Sequence, residues 1–137
     1  MSTQSDASIQ ADLDHKYLNV AITYIGDANG LPASAAAGNL YAALFVGAVE
    51  ADYGSYVRIA IPRTGSGFSR TNNIMTNVAQ INFIKAVSGS NVVTKVAIYD
   101  RVTAGVQLHI QTLANPITVT TNVQPIIEAG ALTITGS

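Results

Sequence analysis

Apolar and polar residues alternate with a period of two along most of this chain. In Tyr56-Val57-Arg58-Ile59-Ala60-Ile61, Val57, Ile59 and Ile61 share one face, and Tyr56, Arg58 and Ala60 the other. From Val92 to Tyr99, Val92, Thr94, Val96 and Ile98 alternate with Val93, Lys95, Ala97 and Tyr99. From Val106 to Thr112, Val106, Leu108 and Ile110 oppose Gln107, His109 and Gln111. Successive side chains of a strand point to opposite sides, so this pattern predicts strands with one face on a core and one turned outward. The β-branched content agrees. Turn chemistry in Gly26-Asp27-Ala28-Asn29-Gly30, Gly65-Ser66-Gly67, Ser88-Gly89-Ser90-Asn91 and Asn115-Pro116 separates the runs. It marks off strands near 17–25, 40–49, 55–61, 78–84, 91–99, 105–113, 117–121 and 131–135. Short strands at this spacing predict an all-β fold: a two-sheet antiparallel β-sandwich or jelly roll.

The ends are less regular. Tyr17 to Ile25 alternates, with Leu18, Val20, Ile22 and Tyr24 against Asn19, Ala21 and Thr23, and reads as a strand. A helix from Asp12, with Leu13, Tyr17 and Val20 on one side, is the competing pattern. Leu31 to Asn39 is rich in small residues and reads as a loop, with room for one helical turn in Ser34-Ala35-Ala36-Ala37. Residues 1–16 are expected to form a flexible N-terminal arm, ahead of a single β-sandwich domain over 17–137. Met1 to Gln10 has neither a basic segment nor an apolar one, so no signal peptide is expected. The longest apolar run, Ala42 to Val49, is far below the roughly 20 residues of a membrane helix, and no membrane partner is expected.

Composition adds a constraint on how the chain lives. Charged residues make up 11% and hydrophobic ones 48%, whereas a soluble domain is usually about a quarter charged. Thr, Ser, Asn and Gln fill the polar positions instead. A surface so poor in charge favours association, because mixed and net charge oppose it. The formal net charge is −1, and the cations Lys16, Lys85, Lys95, Arg58, Arg63, Arg70 and Arg101 are scattered. No nucleic-acid partner is expected, since phosphate binding draws on clustered Lys and Arg. The absence of cysteine removes thiol catalysis, disulfides and zinc-thiolate sites together.

Residues able to carry chemistry are few. Asp12, Asp14 and His15 have no calcium- or zinc-loop spacing and read as a solvated approach to the first strand. His109 lies between Leu108 and Ile110, and neither Asp100 nor Glu128 has a spacing that would orient it as a base. Gly65-Ser66-Gly67 is followed by Phe68-Ser69-Arg70, without the lysine and helix of a phosphate loop. No Gly-x-Ser-x-Gly elbow occurs. The expectation is a protein that is not an enzyme and has no cofactor, no metal and no small-molecule substrate.

From Leu40 onward an ordered series of motifs carries a resemblance. It comprises Leu40-Tyr41-Ala42-Ala43-Leu44-Phe45, Gly54-Ser55-Tyr56-Val57-Arg58-Ile59-Ala60-Ile61 and Asn82-Phe83, then Ile98-Tyr99-Asp100 with Gly105-Val106-Gln107-Leu108. Leu113, Pro116, Val119 and Ala129-Gly130-Ala131-Leu132-Thr133-Ile134 complete it. In this order they resemble a family of small tailed-bacteriophage virion proteins, variously labelled capsid cement, decoration or tail-fibre proteins. Gly47-Ala48-Val49 stands where that family has a Thr/Ser-Asp-Pro turn.

The resemblance implies a structural protein that binds the outside of the capsid and cements contacts of the major capsid protein. It would be a homodimer or homotrimer, assembled in the host cytoplasm and located on the capsid exterior. Polar-face residues Tyr56, Arg58, Asn82, Lys95 and Tyr99 are the expected partner contacts. A tail or head fibre component is the alternative. A glycan-binding β-sandwich is the third reading, and the absence of tryptophan weighs against it.

Overall fold

The computed structural model describes residues 4–136. In chain order the elements begin with α1 (Asp6–Leu18), β1 (Ile22–Asp27), β2 (Gly30–Leu31), β3 (Asn39–Val46), β4 (Val49–Glu50) and β5 (Ile59–Pro62). They continue with β6 (Phe68–Thr71), β7 (Ile74–Asn77), β8 (Ile81–Asn82), β9 (Asn91–Tyr99), β10 (Gln107–Val119), β11 (Ile126–Ile127) and β12 (Thr133–Thr135). The pairs β1–β2, β3–β4, β3–β9, β9–β10, β6–β7, β7–β12 and β8–β11 run antiparallel. This is the all-β class that the alternation predicts, consistent with a β-sandwich. Among the described residues no helix is long and apolar enough to cross a membrane.

The chain forms two compact units. The first takes in the described parts of Met1–Asn39, Pro62–Ala79 and Ala129–Ser137. It contains the main departure from expectation, because α1 stands where a flexible arm was predicted; Met1–Thr3 of that arm lie outside the described residues. Ser5 caps the helix by accepting from the Ser8 amide at 3.2 Å, and Asp6 lies in the first turn, where the helix dipole favours negative charge. Ile9, Leu13 and Tyr17, each four residues from the last, form a buried stripe. Asn19, at φ 55, takes the left-handed conformation and ends the helix. The strand expected from residue 17 therefore starts only at Ile22. Arg63 satisfies the helix end, donating to the carbonyls of Lys16 at 2.7 Å and His15 at 2.8 Å.

A three-stranded sheet of order β12-β7-β6 lies in the same unit. Tyr17 meets Phe68 edge to face at 5.1 Å between ring centres. Phe68, Met75 and Leu132 are fully buried. Asn77 is a buried polar group with work to do: its Oδ1 accepts from the Leu132 amide at 3.0 Å, and its Nδ2 donates to the Ala79 carbonyl at 2.8 Å.

The second unit comprises Leu40–Ile61 and Gln80–Glu128. Its main sheet has the order β10-β9-β3-β4, with β5 also pairing β3. β3 is a central strand and buries Ala42, Ala43, Leu44 and Phe45 in succession, the mark of a strand covered on both faces. Tyr41 pairs with Tyr99, and Phe45 with Lys95. A short ribbon of β8 and β11 continues through Phe83, whose amide donates to the Pro125 carbonyl at 3.0 Å.

Two sequence expectations change here. Val57 is 49% exposed while Arg58 is only 8% exposed, the reverse of the predicted facing. The strand begins at Ile59, and the irregular backbone before it, with Ser55 at φ 77, resets the alternation. Asn115-Pro116 is not a turn between two strands. It lies inside the single strand β10, in a register irregularity between Thr112 and Ile117. An edge strand tolerates proline there, because no outer ladder needs its missing N–H.

Candidate interaction surface and its arginine clamp

Arg58 is the most committed polar side chain of the second unit. Its Nε donates to Glu50 Oε2 at 2.9 Å and its Nη2 to Glu50 Oε1 at 2.9 Å. Its Nη1 donates to the carbonyls of Arg101 at 2.9 Å and Ala104 at 2.7 Å. The guanidinium carbon lies 3.8 Å from the centre of the Tyr99 ring, a cation–π contact, and Tyr99 in turn stacks on Phe45 at 6.2 Å. Tyr56 completes the cluster: its hydroxyl donates to Glu50 Oε2 at 2.6 Å and accepts from the Leu44 amide at 3.1 Å. One arginine thus binds β4, the segment before β5 and the loop after β9.

The electrostatics follow from these contacts. The hydrogen bond from Arg58 holds the Glu50 carboxyl below the usual carboxylate range, against the opposing effect of burial. The same pairing raises the Arg58 guanidinium. Burial, and then the bond to Glu50, push the Tyr56 phenol up. A pocket of about 300 Å³ opens beside the clamp, lined by Ala51, Val57, Val102 and Thr103 together with the clamp residues. Its charged groups are spent on one another, so what it offers a visitor is the apolar wall of Val57 and Val102, 49% and 51% exposed.

The loop across from the clamp is shaped by its own sequence. Asp100 accepts from the Val106 amide at 2.7 Å, and Ala104 and Gly105 both take positive φ, at 52 and 79. That reversal turns the Ala104 carbonyl toward Arg58.

The five expected contact residues are distributed as follows. Tyr56, Arg58 and Tyr99 come together in the clamp, with Arg58 buried and Tyr56 and Tyr99 half-buried. Their outward facing is corrected: the phase reset before β5 turns Arg58 inward. Asn82 is exposed on β8, and Lys95 is half-buried on β9. The residue the alternation missed is Glu50, the partner of Arg58. It stands at the end of a two-residue strand, too short for any period to flag it.

The residues weighed for chemistry scatter. Asp12 pairs with Lys16 at 3.0 Å, Asp14 with Arg70 at 2.6 Å, and His15 Nδ1 lies 2.8 Å from the Val20 carbonyl oxygen. Among the described residues no group of three His, Cys, Asp or Glu could hold a metal ion. Gly65-Ser66-Gly67 forms a turn stapled by the Gly67 amide to the Thr64 carbonyl at 2.9 Å, and it leads into strand β6. His109 is half-buried on β10, facing Ile98 across the ladder.

Exposed apolar surface is more plentiful than chemistry. The two-stranded ribbon β1–β2 shows Tyr24 at 58%, Ile25 at 47% and Leu31 at 38% exposure, and an isolated ribbon of two strands has little stability of its own in water. Its turn is well built: Asp27 accepts from the Asn29 amide at 2.8 Å. Gly30 sits at φ +71, where a Cβ would strike the Ile22 carbonyl.

A family model described as Podophage GP4 fiber I protein gp80 matches residues 15–135. The chain belongs to that family. It is thereby a member of a group of bacteriophage virion structural proteins with a β-sheet fold. The family match runs from the last turn of α1 to the end of β12, so it takes in both units and extends the likeness first seen from Leu40. No curated protein matches the chain.

Proposed function

We propose that this chain is a non-enzymatic structural subunit of a virion fibre. The observation that carries this reading is the match of residues 15–135 to a family described as a podophage fibre protein. The capsid-cement expectation gives way to its alternative, because the family is described by a fibre and not by a cement. The physical features support the choice. Arg58, Glu50 and Tyr56, the richest polar cluster described, hold the protein's own segments together. The surface offers apolar strands and uncharged polar groups, which contact protein without the desolvation cost of charge.

The partners are other virion proteins. The β1–β2 ribbon, with Tyr24 and Ile25, and the exposed Asn82 beside Ile84 at 45% exposure are the surfaces that would meet them. Gold-labelled antibody against the chain, applied to intact particles, tests the placement. Label confined to fibres supports it; label spread evenly over the shell returns the chain to the cement role.

A further inference from the structure

A guanidinium carries five N–H donors, and Arg58 has four of them in use. Nε and one N–H of Nη2 go to Glu50, and Nη1 goes to the carbonyls of Arg101 and Ala104. The second N–H of Nη2 has no partner among the described residues, although the arginine side chain is only 6% exposed. A buried donor without an acceptor is costly, and few folded proteins keep one. Arg58 is also part of the wall of the pocket of about 300 Å³. The unused donor thus belongs to a cavity of ligand size.

The surroundings of that donor set the chemistry of a ligand. Glu50 already neutralises Arg58, and an anion brought to Nη2 would meet the Glu50 carboxylate as well. A neutral carbonyl oxygen avoids that repulsion. Glu50 Oε2 accepts from Arg58 and Tyr56, whereas Oε1 accepts from Nη2 alone. The carboxylate, 29% exposed, therefore keeps room for a hydroxyl donor. Ala51, Val57 and Val102 add an apolar wall suited to a methyl group.

We propose that this pocket binds an N-acetylated sugar. The acetamido oxygen accepts the free N–H of Arg58, the methyl lies against Val57 and Val102, and a ring hydroxyl donates to Glu50 Oε1. One sugar ring with its acetamido arm fits a volume of about 300 Å³, and an extended run of peptide does not. This mode of binding uses no aromatic platform, since Tyr99 is already covered by Arg58 and Phe45, so the absence of tryptophan does not count against it. The inference concerns the pocket and not the place of the chain on the particle, so it stands apart from the fibre assignment.

N-acetylglucosamine titrated into the isotope-labelled full chain, followed by amide chemical shifts, tests the proposal. A ligand this small should bind with a Kd on the order of 1 mM. Shifts should be confined to Ala51, Val57, Val102, Thr103 and the Arg58 side chain. Glucose, which lacks the acetamido group, should bind about tenfold more weakly or worse, because it leaves the buried donor unpaired. Val102→Asp changes a residue that is 51% exposed and makes no clamp bond, so the fold should be unchanged by circular dichroism. It sets a carboxylate in the apolar wall and should weaken the sugar by about tenfold or more. No shift at these residues up to about 50 mM sugar would overturn the proposal. So would equal binding of glucose, unaltered affinity in Val102→Asp, or tighter binding of N-acetylalaninamide, which would give the pocket to a peptide. Gold labelling of particles has no bearing on these outcomes, so the two readings fail separately.

Discussion

Arg58 and Glu50 are joined by two parallel hydrogen bonds, Nε to Oε2 and Nη2 to Oε1, each of 2.9 Å. The pair is asymmetric in its burial: the arginine side chain is 6% exposed and the glutamate 29%. The arginine therefore has no hydration to fall back on if the contact is broken, whereas the carboxylate keeps part of its own. A planar fork is needed to reach two carboxylate oxygens and two backbone carbonyls at once.

Arg58→Ala should cost about 2–4 kcal/mol, somewhat below the range of about 3–5 kcal/mol for breaking a fully buried pair, because Glu50 is partly solvated. Arg58→Lys should recover less than half of that, since an ammonium cannot fork. Urea denaturation with an unchanged m-value gives both numbers. A double-mutant cycle with Glu50→Gln isolates the pair from the carbonyl contacts.

The pH dependence on the acid side should trace to Glu50. Its folded pKa lies below the ordinary carboxylate value, so the paired state adds stability above the unfolded pKa and loses it as pH falls through the folded one. Thermal midpoints measured from about pH 6 down to about pH 2 should fall less steeply in Glu50→Gln than in the parent. Equal slopes would remove Glu50 as the cause.

On the alkaline side Tyr17 should contribute alongside another phenol raised by burial, Tyr56. Burial first, and then the nearby Asp12 charge, raise its phenol from 10.0 to about 12. The folded state keeps its proton while the unfolded chain loses it, so stability is intact below 10.0 and declines as pH rises toward about 12. Tyr17→Phe should make that decline less steep in denaturant midpoints, and Tyr17→Phe combined with Tyr56→Phe less steep again.

Asn77 tests the core of the first unit. Asn77→Ala leaves the buried Leu132 amide without its acceptor and should cost about 1–3 kcal/mol. Asn77→Asp keeps an acceptor at Oδ1 but sets a buried carboxylate oxygen against the Ala79 carbonyl, so it should be at least as destabilising by equilibrium unfolding.

Apolar content between turn signals served where a strand is long and central. The prediction for 91–99 coincides with β9, and that for 40–49 covers most of β3. Alternation failed where chain geometry outside the strand sets the phase. The left-handed Ser55 reverses Val57 and Arg58, and α1 hides because its apolar stripe is only Ile9, Leu13 and Tyr17 among polar residues. The hairpin of β6 and β7 went unread for a different reason. Thr71 pairs with Ile74 across Asn72 and Asn73, and four-residue strands carry too few positions for a period to stand out. At the clamp, Tyr56, Arg58 and Tyr99 were legible as residues of interest, but not as partners. Glu50 reaches Arg58 through the return of β4 along β3, a pairing that no local spacing encodes.

The copy number of this polypeptide per purified particle, counted against the major capsid protein by quantitative mass spectrometry, tests the fibre role most directly. A fibre subunit should be present in a small fixed number, far below the capsid protein. A count that rises in proportion to the capsid lattice, or a particle that lacks the chain altogether, would contradict it.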